Sequence, residues 1–286
     1  MKVLVTGSGG QLGLDLVDAF ADHDVVGLAE SDLDVADEAA VVAAVRDHEP
    51  HLVVHTGAWT DVDGCERDPD RAHRVNALGT WWVARACRLV DATMVYVSTD
   101  YVFDGRGRRD ASGQLRPYTE FDPPEPLNIY GQTKQAGEQL IRQTLSEHYV
   151  VRTSWLCGAR GRNFVRTMLR LGEEQGRARV VDDQIGSPTF TRDLAAAIRE
   201  LAVTGRFGTY HRTNSGTCSW YQFAAAIFEL TDLDVDLQPM GSSELERPAP
   251  RPAYSVLSER HSVLSGLQSM PHWREGLSRL LEELQS

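Results

Sequence analysis

The opening stretch KVLVTGSGGQLG constrains the fold of this chain more than any other. A five-residue apolar run breaks into glycine and then into apolar residues at helical spacing, so a buried strand must turn at once into a helix. Gly7, Gly10 and Gly13 form a GxxGxxG pattern across that junction. Glycines there permit a tight turn, let backbone approach a pyrophosphate and let helix pack on strand, while the helix N-terminus favours the phosphate charge. Gln11 and Leu12, inside the same loop, join the candidate cofactor contacts. The plain alternative is a glycine-rich turn with no ligand.

The pattern then repeats. KVLVT, VVGLA, HLVVHT and TMVYVS read as buried strands, with QLGLDLVDAFADH, DEAAVVAAVRDHE and PDRAHRVNALGTWWVARACRLV as helices between them. Such alternation predicts a parallel sheet covered on both faces, a doubly wound α/β fold. A helix from near Tyr130 and the strand YVVRTS are expected to complete the main sheet at about residue 154. Residues 1–154 then form a dinucleotide-binding domain of Rossmann type, and 155–286 mainly a smaller lobe packed against it. In that lobe NFVRTMLRLGEEQ, RDLAAAIRELAV, SWYQFAAAIFEL and WREGLSRLLEELQ read as helices, and LERPAPRPAYSVL as irregular chain.

Composition narrows the class. The 286 residues carry a net charge of −12, which disfavours nucleic acid and anionic membrane as partners. No run has the length and flanks of a signal peptide or a membrane span, so the chain reads as soluble and cytoplasmic. Cys65, Cys87, Cys157 and Cys218 are far apart, without metal-ligand spacing, and read as reduced thiols; no metal is expected. Abundant arginine and acid with almost no lysine suits either a GC-rich genome or a salt-adapted cytoplasm.

The strand ends supply further candidates. Glu30 stands 23 residues beyond Gly7, where an acidic side chain takes the adenosine ribose hydroxyls and opposes a 2′-phosphate; NADH is therefore expected to serve at least as well as NADPH. Asp34 and Val35 lie where an adenine would rest, or cap a helix beginning near Ala36. Gly57 and Ala58 keep the chain thin after the third strand, and Thr60 or Asp63 faces the site or caps the segment after it. Ser98 and Thr99 stand at the carboxyl end of the fourth strand, where open α/β sheets bind ligands.

The stretch YGQTK joins these to chemistry. The chain has two lysines, Lys2 and Lys134, against 27 arginines, and Lys134 falls one helical turn after Tyr130. An ammonium near a tyrosine favours the phenolate and lowers its pKa, and a point charge does this where a guanidinium fork does not. Coincidence is the competing explanation.

TGSGGQLG, HTGAWTDVD, NALGT, STDYVFDG, PLNIYGQTKQAGE, VVRTSWL and DDQIGSPTF, in that order, resemble the extended short-chain dehydrogenase/reductases, most closely the dTDP-4-dehydrorhamnose reductase family. The resemblance implies NADH- or NADPH-dependent reduction of the C4 ketone of a nucleotide-linked 4-keto-6-deoxy sugar, dTDP-4-dehydrorhamnose first among them. It implies Tyr130 as proton donor, Lys134 on the nicotinamide ribose, Thr99 with Ser98 beside it completing the triad, and Asn76 in support. It places the sugar nucleotide against Asp100, Arg152, Trp155, Asn163, Phe164, Asp183, Gln184, Pro188 and Arg251. Trp155 read as core packing, Asp183 as a turn former and Arg251 as a brace for the proline loop are the plainer alternatives. HTGA departs from the family's Asn-Ala-Ala-Ala, and Tyr101 stands where related dehydratases carry a glutamate, which speaks for a simple reductase. A homodimer is compatible with this reading. The rivals are a reductase of another 4-keto deoxysugar nucleotide and a non-catalytic dinucleotide-binding regulatory subunit.

Overall fold

The computed structural model describes residues 1–285. β1 (Lys2–Thr6) runs into α1 (Gln11–Ala19), β2 (Asp24–Leu28) into α2 (Glu38–His48), and β3 (Leu52–His55) into α3 (Val62–Arg67) and α4 (Pro69–Ala72). A π-helical turn over His73–Gly79 leads into α5 (Thr80–Leu89). β4 (Thr93–Thr99) is followed by the antiparallel ribbon β5 (Arg108–Arg109) and β6 (Leu115–Arg116), then α6 (Ile129–Thr144) and β7 (His148–Thr153). The remainder comprises β8 (Leu156–Cys157), α7 (Phe164–Gln175), β9 (Arg177–Val181), β10 (Ile185–Gly186), β11 (Thr189–Phe190) and α8 (Thr191–Ala202). It closes with β12 (Gly208–His211), β13 (Cys218–Ser219), α9 (Trp220–Leu230), β14 (Asp236–Met240), α10 (Arg260–Leu264) and α11 (Trp273–Gln285).

Among the described residues six strands form one parallel sheet in the order β12-β7-β4-β3-β1-β2. Alternate residues of β1 serve opposite faces. Val3 and Val5 join Leu16 of α1 and Leu194 and Ile198 of α8 in one core, while Leu4 joins Val41, Val45, Val83 and Ile141 in the other. Burying each such side chain contributes about 1.5–3 kcal/mol, which is why the strands read as unbroken apolar runs. The lobe has its own core, built around Val165, Phe223, Ile227 and Leu277.

Two sequence expectations need correction. The sheet does not end near residue 154: the chain returns through α8, which packs on α1, and adds β12 beside β7. The helix after β2 starts at Glu38 with Asp37 as its cap, whose carboxylate accepts from Ala40 N, so Asp34 is not the cap. Chain order reverses between β1 and β3, the point where open sheets leave a crevice at the strands' carboxyl ends.

Candidate active site

The loops after β1 and β3 meet at that crevice. Gly7 has φ +73°, and a Cβ on it would lie 2.7 Å from Gly57 N; a Cβ on Gly13 would lie 2.3 Å from Gly7 O. α1 begins at Gly10 with no side-chain cap, so its first N–H groups are left for a ligand. A cleft of about 800 Å³ opens above them. Its floor includes Gly7, Gly10, Gln11, Leu12 and Gly13; one end reaches Glu30, Asp34 and Val35; Gly57, Ala58 and Thr60 form a side. Ser98, Thr99, Asp100, Tyr130, Lys134 and Trp155 line the other end. A glycine cradle, a bare helix N-terminus and an exposed carboxylate at the β2 end fit a dinucleotide.

Tyr130 enters from the first turn of α6, whose cap Asn128 accepts from Gly131 N. It is 9% exposed and lines the cleft beside Thr99. Burial and the charge of Asp100 push this phenol above its ordinary pKa, while Thr99 opposes them. This corrects the expected lowering by lysine. Lys134 Nζ instead donates to Val97 O at 2.8 Å and sits 4.2 Å over the Tyr96 ring, and burial brings its own pKa down to about 7 against the pull of Glu138. Thr99 also donates to Asp100 Oδ1 at 3.0 Å, and burial raises the Asp100 carboxyl to about 6. Ser98 Oγ donates to Glu138 Oε1 at 2.6 Å, so of the two adjacent hydroxyls Thr99 is the one not tied to Glu138.

Asn76, fully buried in the π-helical turn, does not reach the cleft; it accepts from Trp59 N (2.7 Å) and donates to Trp59 O (3.1 Å) and Thr133 Oγ1 (3.1 Å). It fixes the loop after β3. Such turns are often tied to functional sites.

Several residues expected to contact substrate lie outside the lining of this cleft. Arg152 is 2% exposed and spent on Glu138 through Nε (2.9 Å) and Nη2 (2.7 Å), which removes it from the ligand contacts. Asn163 caps α7 and donates to Gln11 Oε1 (2.9 Å), and Phe164 packs on Trp220 and Phe223. Asp183 accepts from Ser242 N and Oγ, and Gln184 and Pro188 are buried in the lobe. Arg251 pairs with Asp63 (3.0 and 2.9 Å) and donates to Ala249 O, bracing the proline loop on the segment after β3; Asp61, not Asp63, caps α3. Trp155 keeps its place on the wall, stacked on Trp220 at 3.6 Å with φ +48°. Sequence reasoning did not single out Trp59 and Arg71, which line the cleft, or Glu138 behind it.

A doubly wound sheet with a glycine cradle at its switch point and a Tyr–Lys pair at the fourth strand defines the short-chain dehydrogenase/reductase class. The family model described as RmlD substrate binding domain matches residues 1–286. The chain belongs to that family. It is 44% identical to the spore coat polysaccharide biosynthesis protein SpsK of Bacillus subtilis, over 100% of this chain and 98% of that one. It is 42% identical to the dTDP-4-dehydrorhamnose reductase of Mycolicibacterium smegmatis, over 96% of this chain and 84% of that protein. Among solved structures, the Bacillus anthracis dTDP-4-dehydrorhamnose reductase in complex with NADP superposes with TM-score 0.94 at 42% identity, covering 99% of both chains. Among the described residues, no helix is long and apolar enough to cross a membrane.

Proposed function

We propose that the chain is an NAD(P)H-dependent oxidoreductase that reduces the C4 ketone of a nucleotide-linked 4-keto-6-deoxy sugar, with dTDP-4-dehydrorhamnose as substrate and dTDP-rhamnose as product. The observation that carries this is the buried Tyr130, one helical turn from Lys134 on α6, in the wall of a cleft that Thr99 also lines and whose floor suits a dinucleotide. Reduction needs a hydrogen with two electrons at carbon, which a bound reduced nicotinamide would supply, and a proton at oxygen.

The chain's part is the proton and its placement. The carbonyl oxygen accepts a hydrogen bond from the Tyr130 hydroxyl, and the proton crosses as charge builds on oxygen. Thr99 opposes the rise that burial and Asp100 impose on the Tyr130 pKa, and so favours the phenolate that remains. Gly7, Gly10 and Gly13 with the α1 N-terminus take the pyrophosphate, Glu30 the adenosine ribose, and Lys134 the nicotinamide ribose. Asp100 and Trp155 face the sugar nucleotide, which enters over the lobe formed mainly by residues 155–286. Tyr101 fills the place of a dehydratase glutamate, so no second acid–base step follows. The free buried thiols suit a reducing cytoplasm. A homodimer is the expected assembly.

The test is direct. Purified protein given dTDP-4-dehydrorhamnose should oxidise reduced nicotinamide and yield dTDP-rhamnose. A protein that binds the dinucleotide and turns over no 4-keto sugar nucleotide is a regulatory subunit instead, and turnover confined to a different 4-keto sugar changes the substrate alone.

A further inference from the structure

Glu138 lies one helical turn beyond Lys134 on the face of α6 that meets β4, and it is fully buried. Ser98 Oγ (2.6 Å) and Arg152 Nε (2.9 Å) donate to its Oε1; Arg152 Nη2 (2.7 Å) and Arg142 Nη2 (2.9 Å) donate to its Oε2. Ser98 adjoins Val97, whose carbonyl takes Lys134 Nζ. The carboxyl end of β4 is thus pinned to α6 at neighbouring residues, once by a cation and once by an anion.

We propose that Glu138 is a positioning residue for the reduction: it fixes the end of β4 through Ser98 and keeps Lys134 an ammonium inside a dry site. The proposal rests on the role given above to Lys134. Burial alone disfavours a charged lysine, and Glu138 is the group that opposes burial here. The other groups facing the pair do not take over that task. His55 on β3, brought down to about 3 by burial and by Lys134, is neutral. So is His211 on β12, at about 3 through burial and Arg152. Tyr96 and Tyr130 are both raised and uncharged, Tyr96 offering Lys134 its ring face. Burial opposes ionisation of Glu138 itself, but Arg152 on β7, Arg142 on α6 and Ser98 bring it down to about 2, so the anion is present throughout the working range. Ser98 donates its hydrogen bond to Glu138 and is not a donor to substrate.

The scarcity of lysine makes the experiment readable. Full-length protein labelled with ¹³C at lysine Cε carries two lysine signals, with Lys2 as the internal reference. The Lys134 midpoint in E138Q should fall by about one pH unit or more, a tenfold change in its proton equilibrium. The high-pH limb of kcat/KM should move down with it, and E138D should restore most of both. A folded E138Q whose Lys134 midpoint stays at the wild-type value overturns the proposal, since a mere counter-ion for Arg152 would leave it there. Should E138Q fail to fold with Arg152 unpaired, E138Q/R152Q is compared with R152Q, which isolates the Glu138 charge: the Lys134 midpoint should lie lower in the double variant, and equal midpoints overturn the proposal. The titration needs no substrate, so failure of the proposed reaction leaves this result standing apart.

Discussion

Proton supply belongs to a single side chain. Tyr130→Phe removes the hydroxyl while keeping the ring against Tyr101, so cofactor binding should persist while turnover falls about 10²–10⁴-fold, the range of a positioned general acid. Single-turnover rates beside dinucleotide affinity check this; turnover near wild type removes Tyr130 from the mechanism. Lys134→Arg keeps the charge but sets a fork where Nζ meets Val97 O, and should also impair turnover. The pH dependence follows from Lys134. Burial has lowered its pKa from 10.5 to about 7, so the ammonium is present below that value and lost as pH rises through it. Because kcat/KM reports the free enzyme, its profile should decline above about pH 7. Coenzyme preference is the test of Glu30, which is exposed and lines the cleft beyond β2. Although the Bacillus anthracis relative holds NADP, NADH should serve this chain at least as well. The check is kcat/KM for both coenzymes at one fixed salt, since screening weakens charge discrimination. A tenfold preference for NADPH, about 1.4 kcal/mol, would clear Glu30 of that role.

At the scale of elements, the β1–α1 turn makes the sharpest demand on sequence. Gly7→Ala would force a side chain into φ +73° and set its Cβ 2.7 Å from Gly57 N, whereas Gly10 has φ −78° and its nearest neighbour at 3.3 Å. The left-handed conformation alone costs about 1–3 kcal/mol, so G7A should lower the denaturation midpoint and weaken dinucleotide binding much more than G10A. Equal effects of the two would refute this reading of the turn. That turn was legible because one short stretch holds its strand, glycines and helix. β12 was not: GTYH is four residues with no apolar run, and its place beside β7 follows from α8 packing on α1, a contact between segments some 180 residues apart (Arg199 to Ala19). α3 was hidden in the acidic stretch DVDGCERD, where Asp61 as a cap looks like any loop aspartate. The π-helical turn interrupts what periodicity presents as one helix. Arg152 was expected at the ligand because the resemblance to the reductase family places it there, whereas its partner Glu138 comes from the preceding helix. Glu138 itself was in plain view four residues after Lys134, but spacing alone does not reveal which face a carboxylate pairs on.

Across the whole molecule, the question is how the lobe stays aligned with the sheet. Gln11, at the start of α1, accepts from Gly158 N (3.1 Å) and Asn163 Nδ2 (2.9 Å) and donates to Arg162 O (3.1 Å). Arg251 with Asp63 makes a second link, from the proline loop to the segment after β3. The first link starts from a residue that lines the cleft. Gln11 thus reaches the loop from Gly158 to Asn163 from inside the dinucleotide turn, and Trp155 stands just before that loop. A net hydrogen bond contributes about 0.5–1.5 kcal/mol, and water replaces part of what is lost at this half-exposed joint. Gln11→Ala should therefore cost about 1.4 kcal/mol in aligning the lobe, a tenfold rise in KM for the sugar nucleotide. Its backbone N–H remains at the α1 N-terminus, so the dissociation constant for the dinucleotide should change far less. Titrating the dinucleotide by fluorescence and measuring KM on the same preparation separates the two effects. If dinucleotide affinity falls while KM holds, Gln11 serves the cofactor alone and the lobe is aligned by other contacts.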